Sequence, residues 1–351
     1  MLSIENDVKL DFNDVLLKPR FGSLSSRKLV NLKQEYVMPY SLEKFSSTGI
    51  IAANMDGVGT FEVADVLHAR GVMTALHKNY SADELEEYFT RTYDQNIGNS
   101  SFYSLGISDA DYDKFELVRK RVPFHAIERV CVDVANGYMD GFYDFISRLR
   151  DENPHLTIMV GNVVTPEAVE RASESGADIV KLGIGPGAMC TTRLMTGVGY
   201  PQLSCIMDSV HAADACGVYL CSDGGCSQPG HISIAFAAGA DFVMLGSMLA
   251  GTDEGGGEIV DGKVKFYGMS SKTANDKHFG GLKDYRSSEG RTAMIPYKGA
   301  MDSVIQNILG GLASTCTYLG CKTLGQLSSR ATAIRVNSTH NRAYEQFTIG
   351  N

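Results

Sequence analysis

A (β/α)8 TIM barrel is the fold class the sequence predicts. Three observations carry it: short apolar runs that recur with polar or glycine-rich ends, amphipathic helical stretches between most of them, and an internal repeat. Eight such runs occur, at residues 50–55, 71–78, 102–108, 129–136, 157–164, 178–185, 219–225 and 241–248. They are rich in β-branched residues, as parallel strands covered on both faces are. Among the intervening helices, Thr165-Pro166-Glu167 has the form of an N-cap, a proline at the first helical position and an acid in the first turn, and Gly176 ends that helix. Asp83-Glu-Leu-Glu-Glu87 and Asp109-Ala-Asp-Tyr-Asp113 read as solvated helix starts. The repeat is Gly176-Ala-Asp-Ile-Val-Lys-Leu-Gly183, which returns as Gly239-Ala-Asp-Phe-Val-Met-Leu-Gly246 at the entry to the sixth and eighth runs. Eight βα units favour a closed barrel over an open doubly wound sheet.

Bulk properties narrow the function. With 351 residues, 44% hydrophobic and 21% charged, the chain has ample material for a core and is expected to form one catalytic domain over 1–351, with an extended loop region after the eighth strand. A net charge of -9 argues against broad binding to a phosphate backbone, so no nucleic acid partner is expected. Residues 1–20 alternate charged and apolar side chains without an apolar leader core, and no run reaches membrane-spanning length. A cytoplasmic protein with reduced thiols is the expectation, since the eight cysteines include no C-x-x-C pair.

In a barrel of this kind, function gathers at the C-terminal ends of the strands. There the sequence places Asn54 and Asp56, His77 and Lys78, Asp133 and Asn136, Asn162, Asp223-Gly224-Gly225 and Gly246-Ser247. It also places there the stretch Gly183-Ile-Gly-Pro-Gly-Ala-Met-Cys190-Thr-Thr-Arg193. Cys190 reads either as a reactive thiol, with Arg193 nearby to favour its thiolate, or as one more packed cysteine, and its position on the catalytic face favours the nucleophile. The glycines after strands seven and eight read either as an anion cradle of backbone N–H groups or as tight βα turns. Gly183-x-Gly185-x-Gly187 lacks the G-x-G-x-x-G spacing, so a nicotinamide cofactor would bind by other means. In the polar, glycine-rich region from Gly251 to Gly299, Glu289 is the candidate acid or base.

The chain resembles the IMP dehydrogenase and GMP reductase family over nearly its whole length. The resemblance runs from Phe12-Asn-Asp-Val-Leu-Leu-Lys-Pro19 through Ala53-Asn-Met-Asp56, Asp133-Val-Ala-Asn-Gly137, Gly161-Asn-Val163 and the Cys190 loop with Thr196-Gly-Val-Gly-Tyr-Pro-Gln202. It continues through Ser222-Asp-Gly-Gly225 to Ser314-Thr-Cys-Thr317. The reductase branch is indicated by the short gap between Lys78 and the third strand, which leaves no room for an inserted regulatory domain pair. Tyr267-Gly-Met-Ser-Ser271 and Tyr285-Arg-x-x-Glu-Gly290 also resemble that branch, and no Arg-Tyr flap pair for water activation follows the eighth strand.

The resemblance implies NADPH-dependent reductive deamination of GMP to IMP and ammonia through a cysteine thioimidate, by a homotetramer. It implies that Cys190 attacks C2 of the purine while Thr192 and Glu289 handle the proton of the departing ammonia. Asp223, Gly224, Gly225, Gly246, Ser247, Gly268, Met269, Ser270, Arg286, Ser287, Ser288, Glu289 and Gly290 correspond to the nucleotide site for GMP or IMP. Ser26, Arg27, Lys78, Asp133, Val134, Ala135, Ile184, Gly185, Met269, Tyr285, Arg286, Ser314, Thr315, Cys316 and Thr317 correspond to the dinucleotide site. Carbonyls of Gly185, Gly187, Cys190 and Arg193 match positions that hold a monovalent cation such as K+. The chain departs from the family pattern at Ala188, where serine is usual, Gly57 for threonine, Asn79 for histidine and Ser247 for glycine. A lost hydroxyl at 188 would remove one charge-assisted hydrogen bond to phosphate, about 1.5–3 kcal/mol. Three other readings remain open at this level: an IMP dehydrogenase without regulatory domains, a catalytically weakened nucleotide-binding barrel, and a flavin-dependent barrel.

Overall fold

The computed structural model describes residues 2–95, 97–278, 280–281 and 287–336. Eight parallel strands close into a barrel. They are β1 (Ile50–Ala52), β2 (Met73–Ala75), β3 (Ser101–Leu105), β4 (Arg129–Asp133), β5 (Thr157–Val163), β6 (Ile179–Leu182), β7 (Tyr219–Asp223) and β8 (Phe242–Leu245). Each pairs with its successor, and closure comes from β8 against β1 in the register Val243 opposite Ile50. Seven of the expected apolar runs contain one of these strands and the third overlaps β3, which begins one residue earlier at Ser101; each strand is shorter than its run because the polar residues at the end leave the ladder for the site.

The surrounding helices are α1 (Phe61–His68), α2 (Ala82–Tyr93), α3 (Asp109–Arg121), α4 (Asp140–Glu152), α5 (Pro166–Glu174), α6 (Gln202–Cys216), α7 (Pro229–Ala237) and α8 (Met301–Leu319). Their starts follow the capping chemistry legible in the sequence. Thr165 accepts from Ala168 N ahead of the N-terminal proline of α5. Ser81 with Glu84 and Ser108 with Asp111 form reciprocal capping boxes on α2 and α3. β2 and β3 are joined through α2 and a short 3-10 turn, Gly98–Ser100.

The repeat has a structural meaning. Asp178 and Asp241 each accept, through a side-chain oxygen, from the second residue of the preceding strand: Ile158 N at 2.8 Å and Leu220 N at 2.8 Å. Each also donates its own N–H to that residue's carbonyl, at 2.9 and 3.0 Å. One aspartate per unit thus sets the stagger between neighbouring strands. Asp178 is neutralised by Arg150 at 2.6 Å, whereas among the described residues no cation pairs with Asp241. Burial pushes the Asp241 carboxyl up to about 7.

At the N-terminal end of the barrel, a hairpin of Gln34–Val37 and Lys44–Ser47 acts as a cover. Tyr36 stacks on Phe242 at 4.4 Å, and Arg129, paired with Glu43, lies over Phe45 at 4.3 Å. Val15–Leu17 pairs antiparallel with Ala333–Arg335 near the other end of the sequence. The region after β8 is more ordered than the expected loop system. It holds an antiparallel sheet of Ile259–Val260, Lys263–Tyr267 and Thr292–Pro296, with a helix at Lys272–His278. The hairpin turn is made by Asp261 (φ 49) and Gly262 (φ 69), the pair of left-handed residues a tight turn requires. No helix among the described residues is long and apolar enough to cross a membrane.

Candidate active site

The backbone leaves β6 at Gly183, whose φ of 146 and close approach to the Asp223 carbonyl, 2.2 Å from where a Cβ would sit, admit no side chain. From there the loop carries Cys190 to the barrel mouth. Cys190 N donates to Gly187 O at 3.0 Å, and Gly290 bridges to Cys190 on one side and to Ser271 on the other. The segment after β8 therefore folds back over the loop after β6. That contact assembles a proton path: the Cys190 thiol donates to Thr192 Oγ1 at 3.2 Å, and Thr192 Oγ1 donates to Glu289 Oε2 at 2.7 Å. Thr191 N also donates to the Glu289 carbonyl at 2.9 Å, which fixes the backbone that aims the carboxylate. The three expected catalytic residues come together although Glu289 lies far along the chain. A thiol, a hydroxyl and a carboxylate in series can activate a nucleophile and carry its proton to a leaving group.

One expectation about the thiol fails. Arg193 does not serve Cys190: its guanidinium turns to Asp11 at 3.2 Å and to the Tyr200 carbonyl at 2.5 Å. Its stem packs where Gly185 and Gly199 lack side chains, 2.6 Å from the Cβ position of each. Arg193 is a clamp on the loop, and Asp11 completes it by accepting from Gln202 N at 2.6 Å.

The described residues of the expected nucleotide set line the same mouth. Gly224 (φ 92) lies against the loop, its Cβ position 3.2 Å from Gly187 N, and Gly246 lies beside Met55. The Cβ position of Gly268 lies 3.0 Å from the Met189 carbonyl, and Ser288 Oγ donates to the Gly290 carbonyl at 3.1 Å. Ser270 and Ser287 are exposed, Ser247 is half-buried, and Met269 reaches Asp56, whose N–H donates to its sulfur at 3.4 Å. Tyr285 and Arg286 lie outside the described residues.

The expected dinucleotide residues divide into two groups. Lys78 and Asp133-Val134-Ala135 are at the barrel mouth, where Val134 pairs with Gly161 and Asn162 through backbone bonds of 2.8 and 2.9 Å, and Ile184 accepts from Tyr200 N. Arg27 and Ser314 instead line a cleft of about 520 Å³ on the outer face of α7 and α8, next to Ser26. Thr315 is turned to Ser233 at 2.9 Å, Thr317 donates to the Ser314 carbonyl, and the Cys316 thiol is buried in the core.

Several polar residues of the mouth gain roles that sequence reasoning did not supply. Asp56, 7% exposed, accepts from Asn79 at 3.1 Å, Tyr267 at 2.7 Å, Lys277 at 3.1 Å and His278 at 2.6 Å, and so pins the segment after β8 to the end of β1. Burial by itself would raise its carboxyl, but the hydrogen bonds from His278, Tyr267 and Lys277 hold it well below the usual carboxylate range. Nearby, burial pushes His77 down to about 4. Lys181, 1% exposed, bonds Asp133 at 2.6 Å and Asp223 at 2.7 Å. Its signal was a lone charge inside the apolar run Ile179-Val-Lys-Leu182.

The donor set suits a nucleotide and a dinucleotide: hydroxyls, glycine-opened backbone, and a buried oxygen, Asn162 Oδ1, without a partner among the described residues. For the cation, Gly187 O and Arg193 O each already accept one backbone N–H and keep a second lone pair, as oxygen ligands need. No cluster of three or more His, Cys, Asp or Glu that could hold a metal occurs among the described residues. All eight cysteines are free. Six are buried, and Cys190 and Cys216 are half-buried.

Residues 9–345 match the model of the IMP dehydrogenase / GMP reductase domain. The chain is 47% identical to a GMP reductase of Caenorhabditis elegans over 99% of its length and 98% of the relative's. It is 48% identical to GMP reductase 2 of Homo sapiens over 99% of both chains. A GMP reductase of Aliivibrio salmonicida is 47% identical over 98% of this chain and 99% of its own.

Proposed function

The chain belongs to the IMP dehydrogenase / GMP reductase family, and from that membership we infer that it is an oxidoreductase acting as a GMP reductase. The observation that carries the reading to these residues is the series Cys190, Thr192, Glu289, linked at 3.2 and 2.7 Å.

In this mechanism the Cys190 sulfur forms a bond to C2 of the purine, and the thiol proton passes through Thr192 to Glu289. The former trigonal carbon is then tetrahedral. Glu289, as acid, returns a proton through Thr192 to the amino nitrogen, the C2–N bond breaks, and ammonia leaves. A thioimidate on Cys190 remains, electrophilic at C2. NADPH, when bound, supplies hydride for that carbon. Expulsion of the sulfur then frees IMP and restores Cys190. Asp223-Gly224-Gly225, Gly246-Ser247, Gly268-Met269-Ser270 and the stretch 286–290 would hold the nucleotide. Lys78, Asp133 to Ala135, Ile184 and Gly185 would hold the dinucleotide at the mouth. Ser26, Arg27, Tyr285 and Ser314 to Thr317 would belong to the same ligand. The reading extends to a monovalent cation on the carbonyls of Gly185, Gly187, Cys190 and Arg193, and to a cytoplasmic homotetramer of single-domain chains.

The test is to mix purified protein with GMP and NADPH and follow reduced cofactor, IMP and ammonia together. Equimolar change in all three is the expected result. Sustained XMP formation from IMP and oxidised cofactor, faster than GMP is consumed, would overturn the reductase reading.

A further inference from the structure

Lys181 sits on β6 with its neighbours Val180 and Leu182 fully buried, and its own side chain is 2% exposed. An ammonium there is costly unless paired. It has two partners on different strands: Asp133 at the end of β4, 2.6 Å away, and Asp223 at the end of β7, 2.7 Å away. Burial would strip its proton, but the charges of Asp133 and Asp223 outweigh burial and keep it cationic. Asn162 Nδ2 adds a bond of 3.0 Å to the same Asp223 oxygen, and a second of 2.7 Å to the Gly183 carbonyl where the Cys190 loop begins. On the function inferred above, on which this step rests, Asp223 belongs to the nucleotide and Asp133 to the dinucleotide.

We propose that Lys181 is a positioning residue that ties these two subsites together, so that filling one changes the affinity of the other. The physical reason is the sharing of one cation. A ligand hydroxyl that donates to Asp223 draws negative charge from it, and the ammonium bonds Asp133 more strongly in return. In a water-poor barrel interior that exchange is weakly screened. Asp133 is then held more firmly for the dinucleotide, and by linkage the effect is mutual. Among the described residues Lys181 hydrogen-bonds Asp133 and Asp223 and neither Cys190, Thr192 nor Glu289, so its effect falls on binding.

The unreactive pair IMP and NADPH allows a test by calorimetry, without turnover. NADPH is titrated into the full chain with and without saturating IMP, for the parent, Lys181→Arg, Lys181→Met and Asp223→Asn. In the parent, IMP tightens NADPH about fivefold or more. Lys181→Arg retains the coupling, and Lys181→Met brings the ratio to about one. If Lys181→Met fails to fold by thermal melt, Asp223→Asn decides: NADPH affinity without nucleotide shifts about fivefold, although Asp223 serves the other ligand. A parent ratio near one, a ratio unchanged in a folded Lys181→Met chain, or an Asp223→Asn chain with parental NADPH affinity would each overturn the link. A parent that binds both ligands with coupling but makes no IMP from GMP would sink the inferred reaction and leave the link standing.

Discussion

Glu289 meets the loop after β6 twice, through its carbonyl to Thr191 N and through its carboxylate to Thr192 Oγ1. Glu289→Gln keeps the first contact and an acceptor for the second, and removes only the ability to move a proton. Ammonia release should therefore slow by about 10²- to 10⁴-fold, the usual range for a general acid. Hydride transfer to the cysteine adduct needs no protonated nitrogen and should change far less. Isotope-labelled reduced cofactor separates the two steps, and equal slowing of both would make Glu289 positional. Arg193 teaches the complementary lesson. Its closeness to Cys190 in sequence suggested an electrostatic role, yet its partner is Asp11, 182 positions away. Which residue types stand at the mouth was legible from the strand ends. Where each long side chain points was not, because that depends on neighbours from other elements.

Among the elements, the eight strands were legible since a strand covered on both faces must be apolar throughout. The sheet after β8 was not, although Asp261-Gly262 between short apolar runs is a hairpin signal. Its first strand is only Ile259–Val260 and both residues are exposed, so the pattern was too brief to stand out. This sheet and the adjoining helix hang on Asp56. Asp56→Asn weakens the three contacts made at Oδ2, with Tyr267, Lys277 and His278, and leaves Lys277 and His278 beside a neutral amide. Hydrogen exchange over 263–278 should accelerate and KM for GMP should rise about tenfold, as expected for losing a hydrogen bond to charge. Unchanged exchange there would count against the pinning role. At the entry to β8, Asp241 has a folded value of about 7 against an ordinary 3.8, so the folded chain holds a proton that the unfolded chain releases. Its contribution is complete below about pH 4 and disappears as pH rises through 7. Asp241→Asn keeps an acceptor for Leu220 N. It should melt a few degrees above the parent at pH 8, with the advantage vanishing near pH 4. A constant offset across that range would refute the assignment.

Across the whole molecule, the N-terminal segment reaches the chemistry without entering it. Asp11 holds Arg193 and Gln202 N, so the loop carrying Cys190 is braced from outside the barrel. Asp11→Ala should lower kcat about tenfold or more, from the loss of hydrogen bonds worth about 1.5–3 kcal/mol, while the barrel melts near the parent temperature. A parental kcat would show that the brace is dispensable. The distribution of sulfur has a consequence of another kind. Burial raises the thiols of Cys131, Cys205, Cys221, Cys226, Cys316 and Cys321 above their ordinary range and shuts them away from reagents. Oxidants in solution therefore meet only Cys190 and Cys216 readily, and one of these is the proposed nucleophile. Mild peroxide should stop turnover by forming a sulfenic acid at Cys190, dithiothreitol should restore it, and bound GMP should protect it. Full activity in protein whose Cys190 is oxidised by mass spectrometry would break that chain of reasoning. Otherwise, this enzyme loses its catalyst before it loses its fold when its surroundings turn oxidising.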